Sequence, residues 1–188
     1  PGVQVRIAGK DESGSGQIEV KGPNVMLGYL DKEATRAAMT GDGWLRTGDI
    51  GIMEDKRFLR VFGRASNVFK TASGRFVAVN AIEQQLERSR YIRQVMVFGR
   101  NQPWLAAFIV PDFDSLQEWC AEHDVHWTAP EYMIYNLIVQ QLYRDEIDRL
   151  QQDCHTYERI KHFELIDEPW TQEAGLVTPT FKLRREKI

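Results

Sequence analysis

The string Gly43-Trp44-Leu45-Arg46-Thr47-Gly48-Asp49-Ile50-Gly51 sets a single carboxylate among glycines. Glycine lets backbone and ligand approach closely, so Asp49 is placed to meet a small polar group. An ionised carboxylate only accepts hydrogen bonds, with two oxygens, and the paired hydroxyls of a ribose are natural partners for it. The plainer reading of the same residues is an aspartate in a β-turn, where glycine-flanked Asp is common.

On either side of this string, residues 3–62 carry short β-like signals. Val3, Val5 and Ile7 alternate, a polar glycine-rich run follows over 9–16, and residues 17–20 complete a predicted hairpin. Asp31 heads a short capped helix over 32–39 that Gly41-Asp42-Gly43 ends. Residues 50–53 and 58–62 flank Glu54-Asp55-Lys56-Arg57 as a second hairpin.

Past Ser66 the pattern changes to strands alternating with helices. Strands are predicted at 68–70 and 76–77, around Thr71-Ala72-Ser73-Gly74-Arg75. Asn80 and Glu83 have capping-box spacing at the start of a helix over 81–88. Residues 95–98 and 105–110 are apolar strands with Pro103 in the loop between them. Asp114 can cap a helix over 115–122, and Ile134, Leu137, Ile138 and Leu142 fall on one face of another. Residues 171–188 have weak periodicity and read as a loop that carries a function. The expected fold class is α+β: a small β-rich unit over 1–65, then a compact mixed α+β domain over 66–188, with no internal repeat.

Composition narrows the function classes. With 188 residues, 43% of them hydrophobic, the chain can bury a sizeable core. A net charge of -3 gives no global attraction to nucleic acid or to an anionic membrane, and no basic stripe interleaves the tryptophans. No nucleic-acid partner is expected, and any anionic ligand must be held by local cations. Cys120 and Cys154 form neither a disulfide ladder nor a paired metal motif, so a reducing, cytoplasmic location is expected. No apolar run approaches the ~20 residues that span a bilayer, and no transmembrane segment is expected. The start Pro1-Gly2-Val3 lacks a targeting pattern and an initial Met, as an excised segment would. Cys120, His123 and His126 are three apart, but steps of three drift around a helix and no fourth ligand joins them. No metal site is expected there. These three read as partly exposed helix residues, and Trp104, Trp119, Trp127 and Trp170 read as packing.

The string around Asp49 resembles the GW-x-x-TGD segment of the adenylate-forming superfamily, which includes acyl-CoA synthetases, luciferases and peptide-synthetase adenylation domains. The run Gly16-Gln17-Ile18-Glu19-Val20-Lys21-Gly22-Pro23-Asn24-Val25-Met26-Leu27-Gly28-Tyr29 is similar to that family's GE-I-x-x-x-G-x-x-x-x-x-GY, with Gln17 for the usual Glu. Residues 63–83 resemble its GR-x-x-x-x-x-K-x-x-x-G-x-x-V-x-x-x-x-IE. Thr178-Pro179-Thr180-Phe181-Lys182-Leu183-Arg184-Arg185 resembles the carboxy-terminal lysine loop in its long-chain fatty acid form. The matches come in family order and span nearly the whole chain. Tyr157-Glu158-Arg159-Ile160-Lys161, in the extended 132–166 region, also has the style of long-chain enzymes.

The resemblance implies the carboxy-terminal part of a long-chain fatty acid–CoA ligase, with fatty acid, ATP and coenzyme A as substrates. It implies that Asp49 holds the ribose hydroxyls of ATP or acyl-adenylate and that Arg64 reaches the ribose or the phosphates. Lys182 is then the catalytic lysine, although a basic tail of Lys182, Arg184, Arg185 and Lys187 is by itself more often solvated surface. A hinge is implied at Ala65 and Ser66, where Ser66 departs from the family's frequent Asp or Lys. The small domain would turn there between adenylation and thioester formation. Lys70, Ser73, Gly74 and Arg75 would line the coenzyme A path, and Arg100, Arg184 and Arg185 could meet its phosphates. Glu83 would be structural, as a helix cap.

The family's glycine-rich phosphate loop and the glutamate that holds Mg2+ occur nowhere in these 188 residues, nor does the acyl pocket. They would precede Pro1, so the chain alone is expected to be inactive, while the parent could associate peripherally with membranes. Two further readings are a ligase that makes acyl-adenylate for a carrier protein and a non-catalytic binding domain on the same scaffold.

Overall fold

The computed structural model describes residues 2–188. In the amino-terminal part, β1 (Gln4–Ala8) and β2 (Gly16–Lys21) pair antiparallel with Ile7 opposite Ile18, the register that the alternation requires. A short helix, α1 (Lys32–Ala38), begins at Asp31, whose carboxylate accepts the Glu33 N–H. Next come β3 (Leu45–Glu54) and β4 (Phe58–Arg64), which complete an antiparallel sheet in the order β1-β2-β3-β4. Asp55 and Lys56 both take positive φ in the tight turn between β3 and β4, the sense that matches strand twist. Ile7, Ile18 and Ile50 are buried, whereas Val3, Val5, Phe58, Leu59 and Val61 are exposed.

After a 3-10 turn, Ala65–Asn67, a hairpin forms from β5 (Val68–Lys70) and β6 (Phe76–Ala78). The chain divides into two compact units between Ala78 and Val79, so this hairpin belongs to the first.

The second unit contains α2 (Val79–Leu86), β7 (Ile92–Phe98), β8 (Leu105–Pro111), α3 (Phe113–Glu122), α4 (Pro130–Met133), α5 (Leu137–Leu150) and β9 (Ile160–Leu165). Its sheet runs β7-β8-β9, antiparallel between β7 and β8 and parallel between β8 and β9. Leu86, Leu105, Ile109, Leu116, Tyr143 and Ile147 are fully buried and make its core. The mixed α+β class is as expected.

Some local expectations are corrected. Helix α2 starts at Val79, ahead of Asn80, so Asn80 is not its cap, and Glu83 turns inward instead of capping. The cap of α3 is Asp112, whose carboxylate accepts the Ser115 N–H at 3.0 Å, and Asp114 sits inside the first turn. On α5 the buried face is Val139, Tyr143 and Ile147, while Leu137 and Ile138 are exposed at 84% and 55%. Cys120 is buried rather than partly exposed, and that burial pushes its thiol pKa up. Strand β9 was not expected at all. No helix among the described residues is long and apolar enough to cross a membrane. Among them, too, no group of three or more His, Cys, Asp or Glu is placed to hold a metal ion.

Candidate functional site

Asp49 lies within β3, not in a turn, directly across from Arg64 on β4. The Arg64 Nε is 3.3 Å from Asp49 Oδ1, and Arg64 Nη1 donates to the Thr47 carbonyl at 2.8 Å. Thr47 ties the strand down: its Oγ1 donates to the Ile18 carbonyl at 3.0 Å and accepts the Asp49 N–H at 3.1 Å. Gly48 has φ +77°, and a Cβ there would stand 3.3 Å from Arg64 Nη1, so the guanidinium folds over a position that only glycine leaves open. The Asp49 side chain remains 31% exposed. A carboxylate steered by a guanidinium and still open to solvent suits a ligand that presents paired hydroxyls.

A charged cluster holds the loop ahead of this strand. Arg6 Nε pairs with Glu19 at 2.6 Å and Arg6 Nη1 with Asp42 at 2.9 Å, and the guanidinium lies 4.3 Å from the centre of the Trp44 ring. Lys21 Nζ donates to the Asp42 carbonyl at 2.7 Å. Hydrogen bonds from Arg6 and then Thr40 hold the Asp42 carboxyl down to about 2. Arg6, Glu19, Asp42 and Thr47 were not foreseen as contributors. The contacts Arg6–Glu19, Arg6–Asp42 and Thr47–Ile18 join residues distant in sequence, and the charge pattern along β1 and β2 was the one available sign.

The loop between β5 and β6 lines a polar cavity of about 680 Å³ with the β1–β2 loop, bringing Lys70, Ser73, Gly74 and Arg75 together with Lys10 and Asp11. Thr71 N–H donates to the Arg75 carbonyl and Gly74 N–H to the Thr71 carbonyl, both at 2.9 Å. Gly74 has φ +76° with open space where a Cβ would stand. Lys70 Nζ sits 4.6 Å from the Phe76 ring centre. Burial pushes the Asp11 carboxyl up, but hydrogen bonds from Ser13 and Ser15 and the Lys70 charge outweigh it, and its pKa falls below the ordinary value.

In the second unit the lysine loop is a closed turn. Val177 and Leu183 pair as an isolated bridge, Thr178 N–H donates to the Lys182 carbonyl at 2.9 Å, and Lys182 N–H donates to Thr178 Oγ1 at 3.0 Å. Phe181 takes φ +58° at the tip, and Lys182 is exposed. Below the turn, Val177 joins Met96, Val110 and Trp170 in an apolar cluster, with Leu183 packed against it.

Arg100 and Arg184 are exposed. Arg185 is not available in the same way: its guanidinium pairs with Glu83 Oε2 and donates to the Val97 carbonyl at 3.1 Å and to Asn80 Oδ1 at 3.3 Å. The other Glu83 oxygen accepts the Val97 N–H at 2.7 Å. Burial pushes the Glu83 carboxyl up, while Arg185 and the Val97 N–H pull against that shift.

The chain matches no family model. It is 36% identical over 177 residues to long-chain-fatty-acid–CoA ligase 5 of Mus musculus, covering 92% of this chain and 26% of that protein. It is 35% identical over 179 residues to long-chain-fatty-acid–CoA ligase 1 of Homo sapiens, covering 93% of this chain and 26% of that protein. Among solved structures, the adenylation domain of a carboxylate reductase from Mycobacterium chelonae superposes with a TM-score of 0.73 at 25% identity, over 100% of this chain and 29% of that one. The chain thus spans about a quarter of the length of the curated relatives it matches.

Proposed function

We propose, from a chain that belongs to the adenylate-forming superfamily, that the protein is the carboxy-terminal part of a cytoplasmic, ATP-dependent long-chain fatty acid–CoA ligase. In the first half-reaction a carboxylate oxygen of the fatty acid bonds to the α-phosphorus of ATP as the bond to pyrophosphate breaks. In the second, the coenzyme A thiolate bonds to the acyl carbon and AMP leaves. Asp49 accepts from the two ribose hydroxyls, and Arg64 steers that carboxylate and reaches the sugar or the phosphates. Negative charge crowds the adenylation transition state, and the flexible point charge of Lys182 stabilises it. Bending at Ala65 and Ser66 brings the lysine loop in for the first half-reaction and withdraws it for the second.

Lys70, Ser73, Gly74 and Arg75 line the route of the coenzyme A arm, and Arg100 and Arg184 are the cations left for its phosphates. Mg2+ would neutralise the triphosphate. Among the described residues no group of three or more His, Cys, Asp or Glu is placed for that ion, so no step here is assigned to it. The parent meets its acyl substrate at a membrane surface as a peripheral protein.

The supporting observation is the in-register pairing of Asp49 with Arg64 inside a chain that resembles long-chain ligases over nine tenths of its length. The test is pyrophosphate release with palmitate and ATP, for the 188-residue chain and for the full-length protein. Release by the full-length protein alone, lost in its Lys182→Ala form with folding retained, is expected. Robust release by this chain alone, or no effect of Lys182→Ala, would falsify the assignment. Acyl-adenylate formed without any coenzyme A-dependent thioester would indicate a carrier protein as acceptor.

A further inference from the structure

The lysine loop has two roots. One is apolar, where Leu183 packs on the cluster of Met96, Val110, Trp170 and Val177. The other is charged and lies at Arg185, whose fork joins Glu83 on α2 to the Val97 carbonyl on β7. Glu83 is itself held, since its second oxygen accepts the Val97 N–H. The backbone of Val97 is therefore gripped on both sides of its Cα: its N–H meets Glu83 and its carbonyl meets Arg185. The ion pair is partly buried, and its hydrogen bonds to the Val97 backbone fix its orientation.

Between Arg185 and Lys182 lie only Leu183 and Arg184, and Arg184 N–H donates to the Leu176 carbonyl at 2.8 Å. Both flanks of Lys182 are thus tied, by Thr178 on one side and by the Glu83 pair on the other. We infer that Arg185 and Glu83 are positioning residues: together they form a latch that sets the Lys182 backbone where its ammonium can reach the reacting phosphate. This replaces the expectation that Arg185 meets a coenzyme A phosphate, because its guanidinium already faces protein acceptors.

The inference rests on the proposed adenylation by Lys182, and its signature is selective. A displacement of about 1 Å in a charged group at the reacting centre can cost on the order of a hundredfold in rate. Thioester formation does not use that lysine, so it should not respond. The experiment uses the full-length protein and measures both half-reactions: pyrophosphate release with palmitate and ATP, and thioester formation from supplied palmitoyl-adenylate and coenzyme A.

Arg185→Ala should lower kcat for adenylation by roughly ten- to a hundredfold. The KM for ATP and the thioester rate should each stay within about twofold, a change too small to require a lost contact with either substrate. Arg185→Lys keeps the charge without the fork and should recover part of the rate. Because a lone buried Glu83 could impair folding, the double variant Glu83→Gln with Arg185→Met is made alongside, and it should show the same selective loss. Equal losses in both half-reactions would mean a purely structural pair and overturn the inference, as would any loss confined to thioester formation or no loss in either. Lys182→Ala separates the two failures. If it abolishes adenylation while Arg185→Ala does not slow it, only the latch is wrong; if it adenylates normally, the role of Lys182 falls and takes the latch with it.

Discussion

Arg64 Nε stands 3.3 Å from Asp49 Oδ1 across two paired strands, and the same guanidinium also reaches the Thr47 carbonyl two residues earlier. The pair is partly in solvent, which makes it a weak contributor to stability. Asp49→Asn keeps the shape and removes the charge. Hydrogen bonds to charged groups are worth about 1.5–3 kcal/mol, so the KM for ATP should rise by roughly ten- to a hundredfold in the full-length protein. Pyrophosphate exchange as a function of ATP concentration measures this. Thermal unfolding of the variant should stay close to the parent's, and an unchanged KM would exclude ribose binding by Asp49.

A pH titration reads the charged cluster before β3. With its folded pKa held at about 2 against an ordinary 3.8, Asp42 binds fewer protons folded than unfolded between those values. Stability from this group is therefore fully present above about pH 4 and is lost as pH falls toward 2. Carbon NMR of the Asp42 carboxyl should show the low midpoint. In Arg6→Ala it should move up toward the ordinary value, because the Arg6 hydrogen bond is the largest cause of the shift. A midpoint that stays low in Arg6→Ala would assign the shift to Thr40 instead.

Tyr143 tests the core of the second unit. Its hydroxyl is fully enclosed and donates to the Tyr91 carbonyl at 2.7 Å, and burial pushes the phenol pKa far up, so it remains a donor across the working range. Tyr143→Phe removes one of two donors to that carbonyl, which keeps the Asp112 N–H at 2.8 Å, and should cost about 0.5–1.5 kcal/mol. Urea unfolding of the chain should show a lower midpoint with the same slope. An unchanged midpoint would mean that water replaces the hydroxyl at no cost.

The first hairpin and α1 could be read from the sequence because local rules decide them: alternation places Ile7 against Ile18, and Asp31 caps the first turn of α1. Asp49 and Lys182 stand out in the sequence only through motif resemblance, since composition alone favours a turn for one and a solvated tail for the other. Glu83 shows where local reading ends. Its spacing from Asn80 imitates a capping box, yet contacts with Val97 and Arg185, far off in sequence, decide its orientation. On α5 the burial of Val139, Tyr143 and Ile147 depends on tertiary packing, so apolar Leu137 and Ile138 gave a misleading face. Strand β9 was missed for a similar reason, since its partner β8 lies beyond three helices.

That parallel pairing affects how the protein is made. Leu105 cannot meet Ile160 until α3, α4 and α5 have left the ribosome, so the sheet stays two-stranded through much of synthesis. Meanwhile β8, buried along nearly its whole length in the finished molecule, offers a bare apolar edge to any neighbouring nascent chain. Polypeptides released before residue 160 should therefore accumulate in aggregates or be degraded, whatever the condition of the residues that perform the chemistry.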